Sequence, residues 1–387
     1  MTATTTARAP RTAAATSTAA PTPEPLSTES LRAELARRFA ERSAAMARLG
    51  PGMAHLWELA AEHAQGGKLL RPRLLLAAHD AMSEATGTTA ASQAEVLRLA
   101  SALELLHFAF LLHDDVIDGD LFRRGHLNLV GTLSAERETG RTREDSSRPT
   151  PEGLHRGQTG AILAGDLLLC QVHQMVARAE VDPPVRTALL DLLDEAILVT
   201  VAGEHADVAL SDGTEVADLD TILTTAARKT AAYSFALPLR MAAALTDGPA
   251  AWHPVLDRAA THLGLAFQLQ DDYLSVFGDP ARHGKDACSD LREGKQTAII
   301  AYARLTSAWP QVHEHVGNRG LTPEAAQDVV GALRSCGADR FVLGLVAEHR
   351  EALAALLEES ARSQAPLPAA VRELLGALDA ELVGRAS

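Results

Sequence analysis

Two apolar runs in this 387-residue chain end in the same way. Leu103–Asp118 reads LELLHFAFLLHDDVID and Leu263–Ser275 reads LGLAFQLQDDYLS. The first closes on Asp114, Asp115 and Asp118, the second on Asp271 and Asp272. On a helix, Asp114 and Asp118 lie on one face, one turn apart, where like charges disfavour the helix. A fold that ends buried helices in this way must bring cations to them. Hard oxygen ligands that cannot close a cage point to Mg2+ shared with substrate phosphates. If the two sets face each other, they can clamp a diphosphate through bridging metal ions and make it a leaving group. Either pair alone reads equally well as a helix cap or a solvated face. Two pairs after matching apolar runs, each followed by basic residues, favour the clamp.

The rest of the chain supports a helical body. Ala and Leu are abundant, and β-branched alternation is almost absent, which predicts an all-α fold. Ser27, Glu29 and Ser30 offer N-capping residues before Leu31, Leu35 and Phe39. A break is read at Gly50–Pro51, and helical segments then recur at 68–82, 92–117, 155–180, 183–210, 215–245, 250–278, 296–307, 322–335, 338–363 and 367–384. Residues 134–153, rich in Glu, Arg, Thr, Ser and Pro, read as a mobile surface loop, and 278–294 as a short charged one. Residues 1–26, Thr/Ala/Pro-rich, read as a disordered tail before one domain spanning 27–387. The tail carries Arg8 and Arg11 and no acid before Glu24, which also fits a transit peptide, although the same bias runs through the whole chain. The expected architecture is a single large helical bundle around a deep central cavity.

Charge and cysteine content narrow the partners. A net charge of −14 argues against nucleic acid, whose phosphate backbone needs a basic face. Cys170, Cys288 and Cys336 form an odd set with no CxxC spacing, so a disulfide framework or zinc site is not expected and a reducing cytoplasm fits. No apolar stretch is read as reaching the roughly 18 residues that span a bilayer without charges. Of 36 basic residues only Lys68, Lys229, Lys285 and Lys295 are lysine. In a chain that uses arginine everywhere else, these four are candidates for places that need a compact ammonium, the alternative being that one or two stand there by chance.

The lysines fall beside the other motifs. Gly66-Gly67-Lys68-Leu69-Leu70-Arg71-Pro72 puts two cations after a glycine pair, where a backbone can approach an anion. Arg123-Arg124-Gly125 follows the first aspartate set, Gln268 lies three residues before Asp271, and Lys285 and Lys295 bracket the loop Gly284–Gly294. The ordered series GGKxxRP, DDxxD with RRG, Gly165-Asp166, Lys229-Thr230, FQxxDD and GKxxxxDLREGKxT resembles the trans-isoprenyl diphosphate synthase (polyprenyl synthetase) family over residues 30–385. In particular it is similar to bacterial geranylgeranyl and farnesyl diphosphate synthases.

The resemblance implies a Mg2+-dependent prenyltransferase. It would join isopentenyl diphosphate to a C5–C15 allylic diphosphate and release diphosphate. Position by position, it implies Lys68, Arg71, His107 and Arg124 at the isopentenyl site. It implies Asp114, Asp118 and Asp271 as metal ligands for three Mg2+ ions, supported by Asp115 and Asp272. Arg123, Lys229, Thr230, Gln268, Lys285 and Lys295 would hold the allylic diphosphate. His107, seven residues before Asp114, shares its helix face but would also pass as a core histidine. Ala109 and Phe110, five and four residues before Asp114, stand where the family sets product length. Phe110 blocks and Ala109 opens, so C20 is favoured over C15 and C10, unless Phe110 is ordinary core. A homodimer is implied by the family alone. One departure is Ser275, where a third aspartate is usual, with Asp279 one turn further on. Two alternatives remain: a class I terpene cyclase, against which GGKxxRP and Arg124 count, and a non-catalytic regulatory subunit, favoured only by Ser275.

Overall fold

The computed structural model describes residues 27–123, 125–136, 149–215, 217–278 and 288–383. The chain opens with α1 (Thr28–Arg48), whose N-cap Ser27 accepts a hydrogen bond from the Ser30 N–H. Next comes α2 (Pro51–Ala64), a helix that the sequence pattern misses. Pro51 does not break the chain there. It starts the helix, where its fixed φ suits the first turn and its missing N–H costs nothing. After α3 (Leu70–Thr86) comes α4 (Gln93–Asp118), capped by Ser92 and stopped by Gly119 at φ 75°. A glycine tolerates that left-handed C-cap without penalty.

A small antiparallel hairpin, β1 (Phe122–Arg123) and β2 (His126–Leu127), follows the aspartates. Asn128 then caps the short α5 (Leu129–Ala135). The long helices α6 (Pro151–Ala177) and α7 (Pro183–Ser211) come next. The run read as one helix over 215–245 is three pieces: α8 (Leu219–Ala226), a π-helix (Ala227–Ala236) and α9 (Leu237–Leu245). Then follow α10 (His253–Phe277), α11 (Ser289–Glu293), α12 (Ala298–Arg304), α13 (Trp309–Val312), α14 (Pro323–Cys336), α15 (Ala338–Ala361) and α16 (Ala369–Val383).

The result is an all-α bundle built on two aspartate-ended helices. Helix α4 packs against α6, α3 and α1, and α10 packs against α15 and the π-helix. The larger core gathers α1–α7, α9 and the first half of α10, with α15 and α16 closing one side. A second core joins the last turns of α10 to α12, α14 and α15. Leu99, Leu103, Leu106 and Leu112 of α4 are all fully buried, which explains the apolar run that precedes its three terminal aspartates. By length and composition α4 and α6 are apolar enough to cross a membrane, although each carries charged residues along its length. In α4 that character is spent on the centre of the bundle, since most of its apolar length is buried.

Candidate active site

Both aspartate sets open onto one cavity of about 2350 Å3. Asp114, Asp115 and Asp118 reach it from the end of α4, and Asp271 and Asp272 from α10. Lys229 and Thr230 come from the π-helix, Arg123 from the hairpin, and Glu293 and Lys295 from the end of α11 and just beyond it. Among the described residues, eleven acidic side chains and seven Lys or Arg line this cavity, so it carries an excess of negative charge. Three of the four lysines, Lys68, Lys229 and Lys295, are in the lining.

The cations are distributed over the carboxylates. The Lys229 ammonium lies 3.2 Å from Asp114, 2.9 Å from Glu204 and 2.9 Å from Asp207. Lys295 pairs with Asp118 at 2.8 Å and Glu293 at 3.0 Å. Arg123 donates to Asp115 at 2.5 Å and approaches Asp114 at 3.6 Å. Burial alone would raise the Asp114 carboxyl, but the charges of Lys229, Lys295 and Arg123 outweigh it and hold it below the usual carboxylate range. Asp115, despite Arg123, is pushed up to about 6 by burial. Burial likewise raises Asp118 against Lys295, and takes Glu293 up to about 7. Lys229 and Lys295 are held protonated, the surrounding carboxylates overcoming the burial that would discharge them.

Carboxylates raised by burial are short of positive charge. Their donors are hard oxygens, which suits a divalent cation such as Mg2+. Among the described residues no group of three or more His, Cys, Asp or Glu could hold a metal ion unaided. A Mg2+ that takes one or two carboxylates and fills its shell with substrate oxygens and water needs no such cage. The residues therefore fit the metal that the sequence implies.

A second polar group lines the same cavity. Gly67 takes φ 103° and Leu69 φ 52°, turning the chain into α3 so that Lys68 and Arg71 both reach the lining. Arg71 is buried and donates to Tyr233 at 2.9 Å and to Ser234 at 2.8 Å. The Tyr233 hydroxyl is 3.2 Å from His107 Nδ1. His107 is therefore in the cavity wall, bonded to the group that also binds Arg71, rather than in the core.

The π-helix sets where Lys229 and Thr230 stand. Its i→i+5 hydrogen bonding widens the helix, a device frequent at functional sites. Two glycines clamp it: a Cβ added at Gly203 of α7 would lie 2.4 Å from the Lys229 backbone nitrogen, and one at Gly264 of α10 would lie 2.3 Å from the Ala231 Cβ. Thr230 donates to Gln268 at 2.9 Å, and Gln268 donates to Asp272 at 2.8 Å. The π-helix and the second aspartate pair are thereby joined through Gln268.

Phe110 lines the cavity, with Phe108 and Phe267, whereas Ala109 is fully buried and is not in the lining. Ser275 is also buried and off the cavity, its hydroxyl 3.4 Å from that of Ser289. Arg124, Asp279 and Lys285 lie outside the described residues. Sequence reasoning missed Glu204, Asp207 and Tyr233. Two acids three apart on α7 look like a solvated face, and only packing brings them to Lys229.

Comparison with known proteins agrees with this geometry. Residues 54–333 match the polyprenyl synthetase family model. The chain is 32% identical over 282 residues to (2E,6E)-farnesyl diphosphate synthase of Mycobacterium tuberculosis, covering 71% of this chain and 68% of that one. It is 29% identical over 272 residues to a short chain isoprenyl diphosphate synthase of Methanocaldococcus jannaschii, covering 70% and 73%. Its fold superposes with a TM-score of 0.81 and 26% identity on geranylgeranyl pyrophosphate synthase of Corynebacterium glutamicum, whose crystals hold isoprenyl diphosphate and magnesium, covering 92% of this chain and 98% of that one. The chain belongs to the polyprenyl synthetase family, and is a prenyltransferase of that family.

Proposed function

We propose that this enzyme condenses isopentenyl diphosphate with a C5–C15 allylic diphosphate to give a linear trans-prenyl diphosphate, C20 before C15 or C10. The observation that carries the reading is the pairing of two cationic groups in one cavity. One, Lys229, Lys295 and Arg123, is interleaved with the aspartates. The other is built on Arg71, which donates to Tyr233 and Ser234, with His107 at the same Tyr233 hydroxyl and Lys68 in the same lining. A reaction between two diphosphates, only one of which must leave, needs that asymmetry.

In this reading the metal is Mg2+, three ions, with Asp114, Asp118 and Asp271 as principal donors and Asp115 and Asp272 in support. When bound, it supplies the charge that turns the allylic diphosphate into a leaving group. Lys229, Lys295, Arg123 and Lys285 hold that diphosphate, and Thr230 and Gln268 orient the π-helix and Asp272 against it. Lys68, Arg71, His107 and Arg124 hold the isopentenyl partner with its double bond facing the allylic carbon. The allylic C–O bond breaks, the new C–C bond forms, and a proton passes from C2 of the isopentenyl unit to the departing diphosphate. The chain contributes orientation and fixed charge, with Phe108, Phe110 and Phe267 keeping water from the allylic cation.

We assign residues 27–387 to one catalytic domain, with 1–26 as a tail, acting in the cytoplasm. A homodimer is part of the proposal. It is supported by the half-exposed Ile162 and Leu163 of α6 and the exposed Leu198 and Val201 of α7, large apolar side chains on adjacent helices. Ser275, the departure that favoured a non-catalytic subunit, is turned away from the cavity, which supports the catalytic reading.

The test is direct. Purified protein, Mg2+ and labelled isopentenyl diphosphate are incubated separately with C5, C10 and C15 allylic diphosphates, and the dephosphorylated products are sized by chromatography. A discrete C20 or C15 product supports the proposal. Folded protein that makes no product from any primer overturns it in favour of a regulatory subunit.

A further inference from the structure

Arg319 lines the same cavity but belongs to no motif described above. It sits on an exposed loop, 317–320, between the turn His313–His315 and α14. The path of that loop is fixed by a crossing of two glycines. Gly294 and Gly317 both have positive φ, 81° and 80°. A Cβ added at Gly294 would lie 3.2 Å from the Gly317 Cα, so the backbones cross where neither residue has a side chain. The Gly317 N–H donates to the Leu291 carbonyl at 2.7 Å. Asn318 accepts from the Gly320 N–H at 2.9 Å, and Arg292 donates to the Leu321 carbonyl at 3.4 Å. The loop is thus tied to Leu291–Gly294, the segment that delivers Lys295.

This anchoring carries Arg319 across to the end of α4. Its two terminal nitrogens lie 3.4 and 3.6 Å from the position a Cβ would take on Gly119, the residue after Asp118. None of the six other lysines and arginines in the lining, Lys68 included, is without a partner. Lys229, Lys295 and Arg123 are ion-paired, Arg71 is bonded to Tyr233 and Ser234, and Arg292 to Leu321. Arg319 makes no ion pair or side-chain hydrogen bond among the described residues. A guanidinium held at the rim of an acidic cavity, with its fork unspent, is a ready binder of phosphate oxygens.

We propose that Arg319 is a further substrate-binding residue. Its guanidinium takes a phosphate oxygen of the allylic diphosphate from the rim, on the side of Asp118 and Lys295. The inference rests on the prenyl-transfer reading above. A cation beside a helix C-terminus is also favourable by itself, through the helix dipole. The experiment separates the two roles.

Full-length wild type, Arg319→Gln and Arg319→Lys are compared by steady-state kinetics, each substrate varied in turn. Thermal melting and calorimetric binding of inorganic diphosphate with Mg2+ are measured alongside. Loss of one charge-assisted hydrogen bond should raise KM for the allylic diphosphate about tenfold in Arg319→Gln. KM for isopentenyl diphosphate and Tm should stay near wild type, with partial recovery in Arg319→Lys and weaker inorganic diphosphate binding in Arg319→Gln. Unchanged allylic KM and unchanged diphosphate affinity overturn the proposal, and if Tm falls at the same time the residue serves the helix end. A wild type without prenyl transfer would refute the proposed function instead, and the calorimetry would still decide whether Arg319 binds diphosphate.

Discussion

The Tyr233 hydroxyl accepts from Arg71 and meets His107, while its ring packs edge-on against Phe110 with centroids 5.0 Å apart. The hydroxyl and the ring therefore belong to different questions. Tyr233→Phe keeps the ring and removes the bond to the isopentenyl group of residues. KM for isopentenyl diphosphate should rise roughly five- to tenfold, with product length unchanged in chromatography. Phe110→Ala acts on the other side of the contact. It should open the wall and lengthen the product by one or more C5 units, and an unchanged product would make Phe110 ordinary packing. Asp114→Ala should abolish turnover by about a thousandfold or more while the fold persists. Lys229 keeps Glu204 and Asp207 as partners in that variant, so no buried charge is stranded. Near-normal turnover of Asp114→Ala, checked beside its circular-dichroism melt, would remove this residue from the site.

At the scale of elements, the clamp on the π-helix and the contact of α10 with α15 make their own predictions. Gly264→Val pushes a side chain into Ala231 and should cost about 1–3 kcal/mol in a denaturant melt, while weakening allylic diphosphate binding through the displaced Lys229 and Thr230. His262 of α10 and His349 of α15 meet at 3.2 Å, and burial lowers the pKa of both, with the charges of His349 and Arg258 adding to the effect on His262. Below about 6.5 the unfolded chain binds protons that these folded imidazoles resist, so stability is lost as pH falls through that range. His349→Gln should flatten the acid side of a Tm-against-pH curve, and an unaltered curve would count against the contact. The aspartate-ended helices were legible in the sequence because apolar period and terminal charge coincide there. Helix α2 was hidden by Gly50–Pro51, which looks like a break whether the proline ends one helix or begins the next. The π-helix had no local signature. Its register comes from the bare backbones of Gly203 and Gly264 on two other helices, a contact that no single-segment pattern contains.

At the scale of the whole molecule, the α6–α7 face carries the proposed assembly. Leu198→Glu with Val201→Glu should convert a dimer into a monomer in sedimentation, leaving the helical spectrum unchanged. A wild type that sediments as a monomer would refute that interface. The bundle also distributes its amines unusually. Lys68, Lys229 and Lys295 all face the cavity, and two of them are locked in ion pairs and held protonated. An amine-reactive dye or resin therefore meets no lysine among the described residues outside the cavity lining. Held as ion-paired ammonium groups, Lys229 and Lys295 resist such reagents. A label on the exposed Cys170 of α6 would leave that chemistry alone.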